Sequence, residues 1–205
     1  MTGQLHEPGT GAPRPRALIL NGGPHKNGST AAILRSIRAR LETFSAVDWV
    51  DVYDLDIRPC RGCLACRPDK RCVLPEDGAH LVAEKIRAAD IVVIGSPTYW
   101  GNMTGPLKTL FDRTVPVFER IDGRFPEPAC RGKKAVIVTT CAAPFPLNLL
   151  SSQGAGCVRA IRTVLDGGGF TIVGTINHSG ASQRAALGGP VHRKAAGLCR
   201  ALAAV

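Results

Sequence analysis

The sequence predicts an α/β fold of three layers, in which helices cover both faces of a five-stranded parallel sheet. Five short apolar segments indicate strands that are buried on both faces. The segments between them repeat apolar residues at helical spacing. Strands that alternate with helices bring all their carboxyl ends to one edge of the sheet, where ligands bind near the reversal of strand order. We therefore expect the informative loops to follow strands one, three and four.

The first third of the chain accounts for two strands and one helix. Ala17–Leu20 is an apolar run followed by Asn-Gly-Gly-Pro, which is typical of a strand that ends in a turn. A helix is predicted from Thr30, because apolar residues then recur at helical spacing and arginines occupy the other face. Val47–Leu55 alternates in polarity, which predicts the second strand. The cysteine-rich segment Cys60–Cys72 interrupts the pattern and is predicted to be a loop.

The rest of the chain contains three further strands and four helical segments. Each strand is a short run rich in Val, Ile or Thr, and each helix has apolar residues three or four positions apart. The predicted strands are Asp90–Ser96, Ala135–Thr140 and Phe170–Ile176. The predicted helices are Ala79–Ala89, Gly105–Thr114, Ser151–Leu165 and a segment within Ala181–Ala204.

The length of 205 residues is that of one domain with an extension. We predict a disordered N-terminal extension at residues 1–16, which is rich in Gly and Pro, and one domain at residues 17–205 with a cysteine-rich loop at residues 58–75. No apolar run approaches the roughly 20 residues of a membrane-spanning helix. The N-terminus also lacks a signal pattern, so we expect a cytoplasmic protein without a membrane partner.

The net charge of +10 raises the question of a nucleic-acid partner. The lysines and arginines are scattered, and the few aromatic residues are not interleaved with them as a stacking platform requires. We therefore predict no nucleic-acid binding. A solvated basic surface is the simplest interpretation. Steering of an anionic dinucleotide and docking of an acidic electron-transfer partner are the functional alternatives.

The loop Asn21–Thr30 joins the first strand to the first helix. Its glycines let the backbone approach a ligand closely. Ser29 and Thr30 lie near the helix start, where hydroxyls and N–H groups bind phosphate, and Thr30 is a candidate N-cap. The loop contains neither a P-loop nor a G-x-G-x-x-G pattern. An ordinary Gly-rich turn with a capped helix is the alternative interpretation.

The loop Ser96–Met103 is the more specific signal. A buried strand ends in Ser-Pro, two aromatic residues follow at the loop tip, and a helix starts at Thr104 or Gly105. Flat apolar side chains and backbone amides suit an isoalloxazine ring, which has a π face and a polar edge. An aromatic pair that closes a hydrophobic loop is the alternative.

Together the two loops make the chain, over about Ala17–Ile176, similar to the family of NAD(P)H-dependent FMN reductases and flavodoxin-like oxidoreductases. The first loop resembles Gly-Ser-Pro-Arg-x-x-Gly-Asn-Thr, and the second resembles Ser-Pro-x-Tyr-Trp-x-x-Met-Thr-Gly-x-Leu-Lys. The resemblance implies a flavodoxin-like fold that holds FMN. It implies phosphate contacts from Gly23, His25, Asn27, Ser29 and Thr30. It implies contacts to the ribityl chain and ring from Pro97, Thr98, Tyr99, Trp100, Gly101, Asn102 and Met103.

Two departures from the family pattern affect the phosphate contacts. Gly23 stands where the family has a serine, and His25 stands where it has an arginine. Phosphate binding would then depend more on backbone amides and on the remaining polar side chains of the loop. By the same resemblance Thr140, which begins the loop after the fourth strand, lines the far side of the flavin.

Four of the eight cysteines lie within thirteen residues, as Cys60-x2-Cys63-x2-Cys66-x5-Cys72. A structural zinc site usually pairs two cysteine knuckles separated by a dozen or more residues. Three cysteines at successive x2 spacings are closer to iron–sulfur ligation. The segment resembles the compact motif of the iron–sulfur flavoproteins, which implies a [4Fe–4S] cluster on all four cysteines. A plain thiol-bearing loop and a zinc site remain open.

The resemblance implies an FMN-dependent oxidoreductase that takes electrons from NADH, NADPH or an acidic ferredoxin-like donor. The acceptor would be a small molecule such as a quinone, a nitro compound or a flavin. The flavin carries the chemistry, so we assign no catalytic residue. A homo-dimer or homo-tetramer is expected from the same resemblance. The alternatives are a non-catalytic electron-transfer flavoprotein and, more remotely, a zinc-bound basic nucleic-acid-binding protein.

Overall fold

The computed structural model describes residues 13–120, 125–150, 153–181 and 187–204, so most of the predicted N-terminal extension lies outside the described residues. Five parallel strands form one sheet. Numbered in chain order, they are β1 (Arg16–Asn21), β2 (Ala46–Asp51), β3 (Ile91–Pro97), β6 (Lys134–Cys141) and β7 (Thr171–Ser179). Their order across the sheet is β2-β1-β3-β6-β7. The predicted five-stranded parallel sheet is thus confirmed, and its strand order is that of flavodoxin-like folds.

Helices cover both faces of the sheet. They are α1 (Ser29–Leu41), α2 (Cys66–Asp69), α3 (Gly78–Ala88), α4 (Gly105–Phe118), α5 (Leu147–Leu150), α6 (Gln153–Gly167) and α7 (Gly189–Ala203). Helices α1 and α7 pack on one face, and α3, α4 and α6 pack on the other. The three-layer architecture is therefore also confirmed. Within the described residues, the chain has no helix long and apolar enough to cross a bilayer.

The first strand shows why the inner strands of the sheet are apolar on both faces. Leu18 and Leu20 belong to the core under α3, α4 and α6, whereas Ala17 and Ile19 belong to the core under α1 and α7. Successive side chains of a strand point to opposite faces, so a strand between two helical layers must be apolar at every position. This is the physical basis of the short continuous apolar runs in the sequence.

Several predicted boundaries differ from the observed ones. The second strand ends at Asp51, and a 3₁₀ turn at Val52–Asp54 follows it. Helix α4 was predicted to end at Thr114 but continues to Phe118 with Pro116 inside it, since burial of its last two residues offsets the hydrogen bond that proline cannot make. The last helix, Gly189–Ala203, lies within the predicted segment Ala181–Ala204.

Two further features were not predicted. The predicted cysteine loop contains the one-turn helix α2. A short antiparallel pair, β4 (Glu119–Arg120) with β5 (Glu127–Pro128), follows α4. Two residues per strand give too short a pattern for periodicity to detect.

Candidate functional site

The loops that follow β1, β3 and β6 meet at the carboxyl edge of the sheet and line a cavity of about 260 Å³. Strand β1 lies between β2 and β3, so the strand order reverses there. Open α/β sheets bind ligands at this place, because two neighbouring loops diverge and leave a crevice. The cavity is lined by Gly23, Pro24, His25, Gly28, Ser29, Thr30, Pro97, Thr98, Tyr99, Thr140, Cys141, Ala142 and Ala181.

Helix α1 directs its N-terminus at this cavity. Its N-cap is Gly28, which provides no side-chain hydrogen bond to the helix, so the suggestion that Thr30 is the N-cap was wrong. Glycine at the N-cap lets the chain pass close to a ligand and adds no competing oxygen atom. The first N–H groups of a helix and its dipole together favour an anion such as a phosphate.

A turn held by side chains brings the chain from β1 to that helix. The Asn21 Nδ2 atom donates to Asp51 Oδ1 at 2.7 Å, and the Asn21 Oδ1 atom accepts from the Gly23 N–H at 3.2 Å. Thr104 Oγ1 donates to the Gly22 carbonyl at 2.8 Å, which ties the turn to the start of α4. Asn21, which is fully buried, shapes the loop Asn21–Thr30 although it was not among the predicted contacts.

The loop after β3 ends in a tight turn. Tyr99 and Asn102 exchange backbone hydrogen bonds of 3.0 Å in both directions. Trp100 and Gly101 between them have φ values of 53° and 73°, the geometry of a type I′ turn. The Trp100 side chain is fully exposed at the tip. Met103 points the other way and is buried in the core under α3, α4 and α6.

The structure brings most, but not all, of the predicted flavin contacts together. Eight line the cavity: Gly23, His25, Ser29, Thr30, Pro97, Thr98, Tyr99 and Thr140. Five lie outside its lining: Asn27, Trp100, Gly101, Asn102 and Met103. Sequence reasoning did not select Pro24, Gly28, Cys141, Ala142 and Ala181. The first four belong to loops that the sequence had identified, whereas Ala181 reaches the cavity from the end of β7, where no motif indicated it.

The composition of the cavity wall fits an FMN group. Hydroxyls and helix N–H groups lie at the α1 end, and Pro97 and Ala142 provide apolar surface for a ring. The Thr98 hydroxyl in the wall is buried and makes no hydrogen bond of normal geometry with the described residues. Its neighbour Cys157 is deeply buried, which raises the pKa of that thiol to about 11, with the hydroxyls of Thr98 and Ser96 lowering it in part. The Thr98 hydroxyl therefore faces the buried Cys157 and not the cavity, so the fit to FMN depends on the α1 end and on the apolar surface.

The cysteine segment forms a second cavity, of about 140 Å³, against α4. All four clustered cysteines line it: Cys60, Cys63, Cys66 and Cys72. They are free thiols, the first two exposed and the last two partly buried. Burial raises the pKa of the Cys66 thiol, and the other three cysteines raise it further. In the part of the chain that the structure describes, no three His, Cys, Asp or Glu side chains form a group that could hold a metal ion.

A buried ion pair lies beside the second cavity. The Arg113 side chain on α4 and the Asp77 side chain at the start of α3 are 0% and 4% exposed, and Arg113 Nη1 lies 2.6 Å from Asp77 Oδ2. Burial raises the pKa of Asp77, but the guanidinium of Arg113 outweighs it and holds the pKa below its usual value. Burial lowers the pKa of Arg113. Its contacts raise that pKa by more, so that it lies above its usual value, and the hydrogen bond to Asp77 is the largest of them.

Comparison with protein families and curated proteins gives consistent results. The family model described as NADPH-dependent FMN reductase matches residues 15–181. An iron–sulfur flavoprotein of Clostridioides difficile is 30% identical over 155 residues, which are 74% of this chain and 62% of that protein. An iron–sulfur flavoprotein of Archaeoglobus fulgidus is 36% identical over 100 residues, 48% of each chain. The chain thus spans about half to three-fifths of the length of these relatives.

Solved structures have the same fold. An NADH:FMN oxidoreductase in its apo form has a TM-score of 0.63 at 19% identity, over 92% of this chain and 89% of that one. An FMN-dependent NADH-azoreductase of Bacillus anthracis, in complex with FMN, has a TM-score of 0.66 at 11% identity, over 92% of this chain and 98% of that one. A flavodoxin of Streptococcus pneumonia has a TM-score of 0.55 at 14% identity, over 92% of this chain and 98% of that one. At these identities the similarity concerns the fold.

Proposed function

The chain belongs to the NADPH-dependent FMN reductase family, and from that premise we propose that it is an FMN-dependent oxidoreductase. It takes electrons from NADH or NADPH, or from a ferredoxin-like donor, and passes them to a small acceptor such as a quinone, a nitro compound or a flavin. One observation carries the proposal. The cavity at the reversal of strand order combines a helix N-terminus with hydroxyls at one end and apolar surface at the other.

The residues of the cavity have separate tasks in this proposal. The first turn of α1, with Ser29 and Thr30, binds the FMN phosphate, because N–H groups and hydroxyls there surround an anion. Pro97, Thr98 and Tyr99 contact the flavin ring from the β3 side. When bound there, FMN would supply the redox chemistry, and these residues would hold it in place.

The chain orients the cofactor and excludes water. Thr140 Oγ1 lies 2.8 Å from Thr30 Oγ1, so the two loops that enclose the phosphate end are joined and do not have to be ordered on binding.

We further propose that the four clustered cysteines hold a [4Fe–4S] cluster. The donor set fits, since thiolates are the ligands that iron–sulfur clusters take, and all four line one cavity. Two relatives carry the name iron–sulfur flavoprotein. Ligation requires the segment to close around the cluster, because the thiols are not gathered into a metal-binding group in the described residues.

Charge and cysteine chemistry support two further proposals. Exposed arginines surround the cysteine cavity, which favours docking of an acidic electron donor. They are Arg58, Arg61, Arg67 and Arg71. The eight cysteines are free thiols, as is usual in a reducing compartment, and on that ground we propose a cytoplasmic location. A homo-dimer or homo-tetramer is proposed from the family resemblance.

Anaerobic purification followed by titration with FMN tests the flavin. We expect a yellow protein with one FMN per chain, and fast turnover of NADH or NADPH with a quinone. A colourless protein that takes up no added FMN would overturn the proposal. A protein that holds FMN but reacts with neither nucleotide would favour an electron carrier instead. Iron and acid-labile sulfide assays on the same sample test the cluster separately from the flavin.

A further inference from the structure

The buried ion pair of Arg113 and Asp77 contacts both ends of the cysteine segment at residues 58–72. Arg113 Nη1 and Nη2 donate to the two carboxylate oxygens of Asp77 at 2.6 Å and 3.1 Å. This two-pronged arrangement fixes the guanidinium plane, so the direction of its remaining N–H groups is fixed as well. Asp77 in turn accepts from the Ala79 N–H at 3.0 Å and caps α3, which makes the pair part of the fold rather than of the loop.

The start of the segment is held at Arg58. Its carbonyl accepts from Arg113 Nη1 at 2.6 Å. Its N–H donates to Asp77 Oδ2 at 3.2 Å. The backbone two residues before Cys60 therefore bonds to both members of the ion pair.

The end of the segment is held at Cys72. Its thiol accepts from Arg113 Nε at 3.2 Å. Its carbonyl lies 2.9 Å from Nε2 of the buried His80, which belongs to the capping box of α3. Cys60, by comparison, receives only a longer hydrogen bond of 3.4 Å from the Gly62 N–H within the exposed loop. Cys72 is thus the thiol that the folded core anchors.

Charge does not explain what the pair does at the cavity. The positive and negative charges of Arg113 and Asp77 lie in contact, so their fields largely cancel at a distance. The remaining contact between the pair and the second cavity is the hydrogen bond that the Arg113 Nε–H donates to the Cys72 sulfur. Hydrogen bonds to ligand sulfurs are among the factors that set the reduction potential of iron–sulfur clusters. Such a bond strengthens as the sulfur gains electron density, so it favours the reduced form.

We propose that Arg113 is the positioning residue of the cysteine site. It fixes Cys72 as the anchored thiol onto which the rest of the segment closes, and its Nε–H bond to Cys72 raises the reduction potential of the bound cluster. This inference rests on the proposed cluster. Reduction delivers one electron from the proposed NAD(P)H-derived or ferredoxin-like donor; the Nε–H proton stays on Arg113, and no covalent bond forms or breaks.

Two variants and a matched control test the inference. Arg113→Lys keeps the cation but replaces the guanidinium, which donates four hydrogen bonds here, with an ammonium that has three N–H donors on one nitrogen. Arg113→Gln combined with Asp77→Asn removes both charges, so that neither is left buried alone. Arg162→Lys changes an exposed arginine of α6 in the same way as the first variant and is the control.

The first measurement is a reductive titration of the anaerobically reconstituted proteins, followed by electron paramagnetic resonance. We expect both Arg113 variants to have a more negative cluster potential than the wild type at equal iron and sulfide content, with Arg162→Lys unchanged. Equal potentials in all four proteins would overturn the role of the hydrogen bond. A wild-type protein that takes up no iron would overturn the proposed cluster.

The second measurement needs no metal and therefore separates these two failures. Amide hydrogen exchange of the reduced metal-free proteins is followed by mass spectrometry. In the wild type, the peptide that contains Arg58 is expected to exchange more slowly than the exposed backbone around Gly62, because the Arg58 N–H donates to Asp77 Oδ2 at 3.2 Å. In both Arg113 variants its exchange rate should rise about fivefold, which corresponds to one hydrogen bond of about 1 kcal/mol. An exchange rate that does not change would show that Arg113 does not anchor the segment.

Discussion

The hydroxyl oxygens of Thr30 and Thr140 lie 2.8 Å apart, although 110 residues separate them in the chain. Thr30 lies in the first turn of α1 and Thr140 lies near the end of β6, so this bond joins the loops after the first and fourth strands of the sheet. Both side chains are buried. The bond therefore sets the width of the proposed phosphate site before any ligand arrives.

Removal of this hydrogen bond is expected to weaken FMN binding. In Thr140→Val the hydroxyl is lost at nearly constant volume, and the Thr30 hydroxyl keeps no bond to the opposite loop. We expect the dissociation constant for FMN to rise about five- to tenfold, the equivalent of about 1 kcal/mol or slightly more. Titration of the apoprotein with FMN, followed by flavin fluorescence, measures the change. Thr163→Val is the control, because its exposed hydroxyl bonds only to the Arg159 carbonyl one helical turn earlier; an equal loss of affinity in both would contradict the prediction.

Gly156 permits the close approach of α6 to the turn after β3. A Cβ atom at this position would lie 2.1 Å from the Gly101 carbonyl oxygen. Gly156→Ala must therefore move either the helix or the turn Tyr99–Asn102, and we expect a loss of about 2 kcal/mol in the free energy of unfolding. Urea denaturation measures it. Gly197→Ala is the control, since the nearest atom there is 4.0 Å away and an alanine within α7 should stabilise by about 0.5 to 1 kcal/mol.

The exposed Trp100 is expected to matter for flavin binding and not for folding. Its side chain is fully exposed at the tip of the turn, so Trp100→Ala should change the free energy of unfolding by no more than about 0.5 kcal/mol. If the indole contacts the bound ring, the dissociation constant for FMN rises about fivefold, in line with an aromatic contact of about 1 kcal/mol. Leu81→Ala, at an exposed apolar position of α3, should leave FMN affinity unchanged. Unchanged affinity in Trp100→Ala would remove this residue from the proposed site.

The sequence predicts an element well when a single physical requirement determines its pattern of apolar and polar residues. Leu18 to Leu20 are apolar because helices cover both faces of β1, and this requirement is visible in the sequence without any partner. Met103 is different. It belongs to a motif that predicts contact with the flavin, yet it points into the core, and a motif does not contain the direction of a side chain.

The cysteine segment shows a second reason for what could not be predicted. The spacing of its cysteines points to metal ligands, but nothing in it indicates Arg113. That arginine stands between Asp112 and Thr114 on α4, and its partner Asp77 is 36 residues earlier in the chain. A buried polar network is defined by tertiary distances, which local periodicity does not reveal. The same holds for Asn21, whose bond to Asp51 depends on the pairing of β1 with β2.

The Asp77–Arg113 pair is expected to make stability depend on acid. The pKa of Asp77 is lower in the folded chain than in the unfolded one. The stabilising effect is thus complete above the unfolded value of about 4 and is lost as the pH falls through the folded value.

Asp77→Asn should lose about 3 kcal/mol in the free energy of unfolding at pH 7, because Arg113 is left buried without its counter-ion. The difference from the wild type should shrink below about pH 4, where the carboxylate takes up its proton in the unfolded chain while it is still charged in the folded one. Urea unfolding between pH 3 and pH 7 measures both effects, with Glu84→Gln on the exposed face of α3 as the control for loss of a carboxylate. A difference between wild type and Asp77→Asn that stays constant across this range would show that the carboxylate charge is not what stabilises the pair.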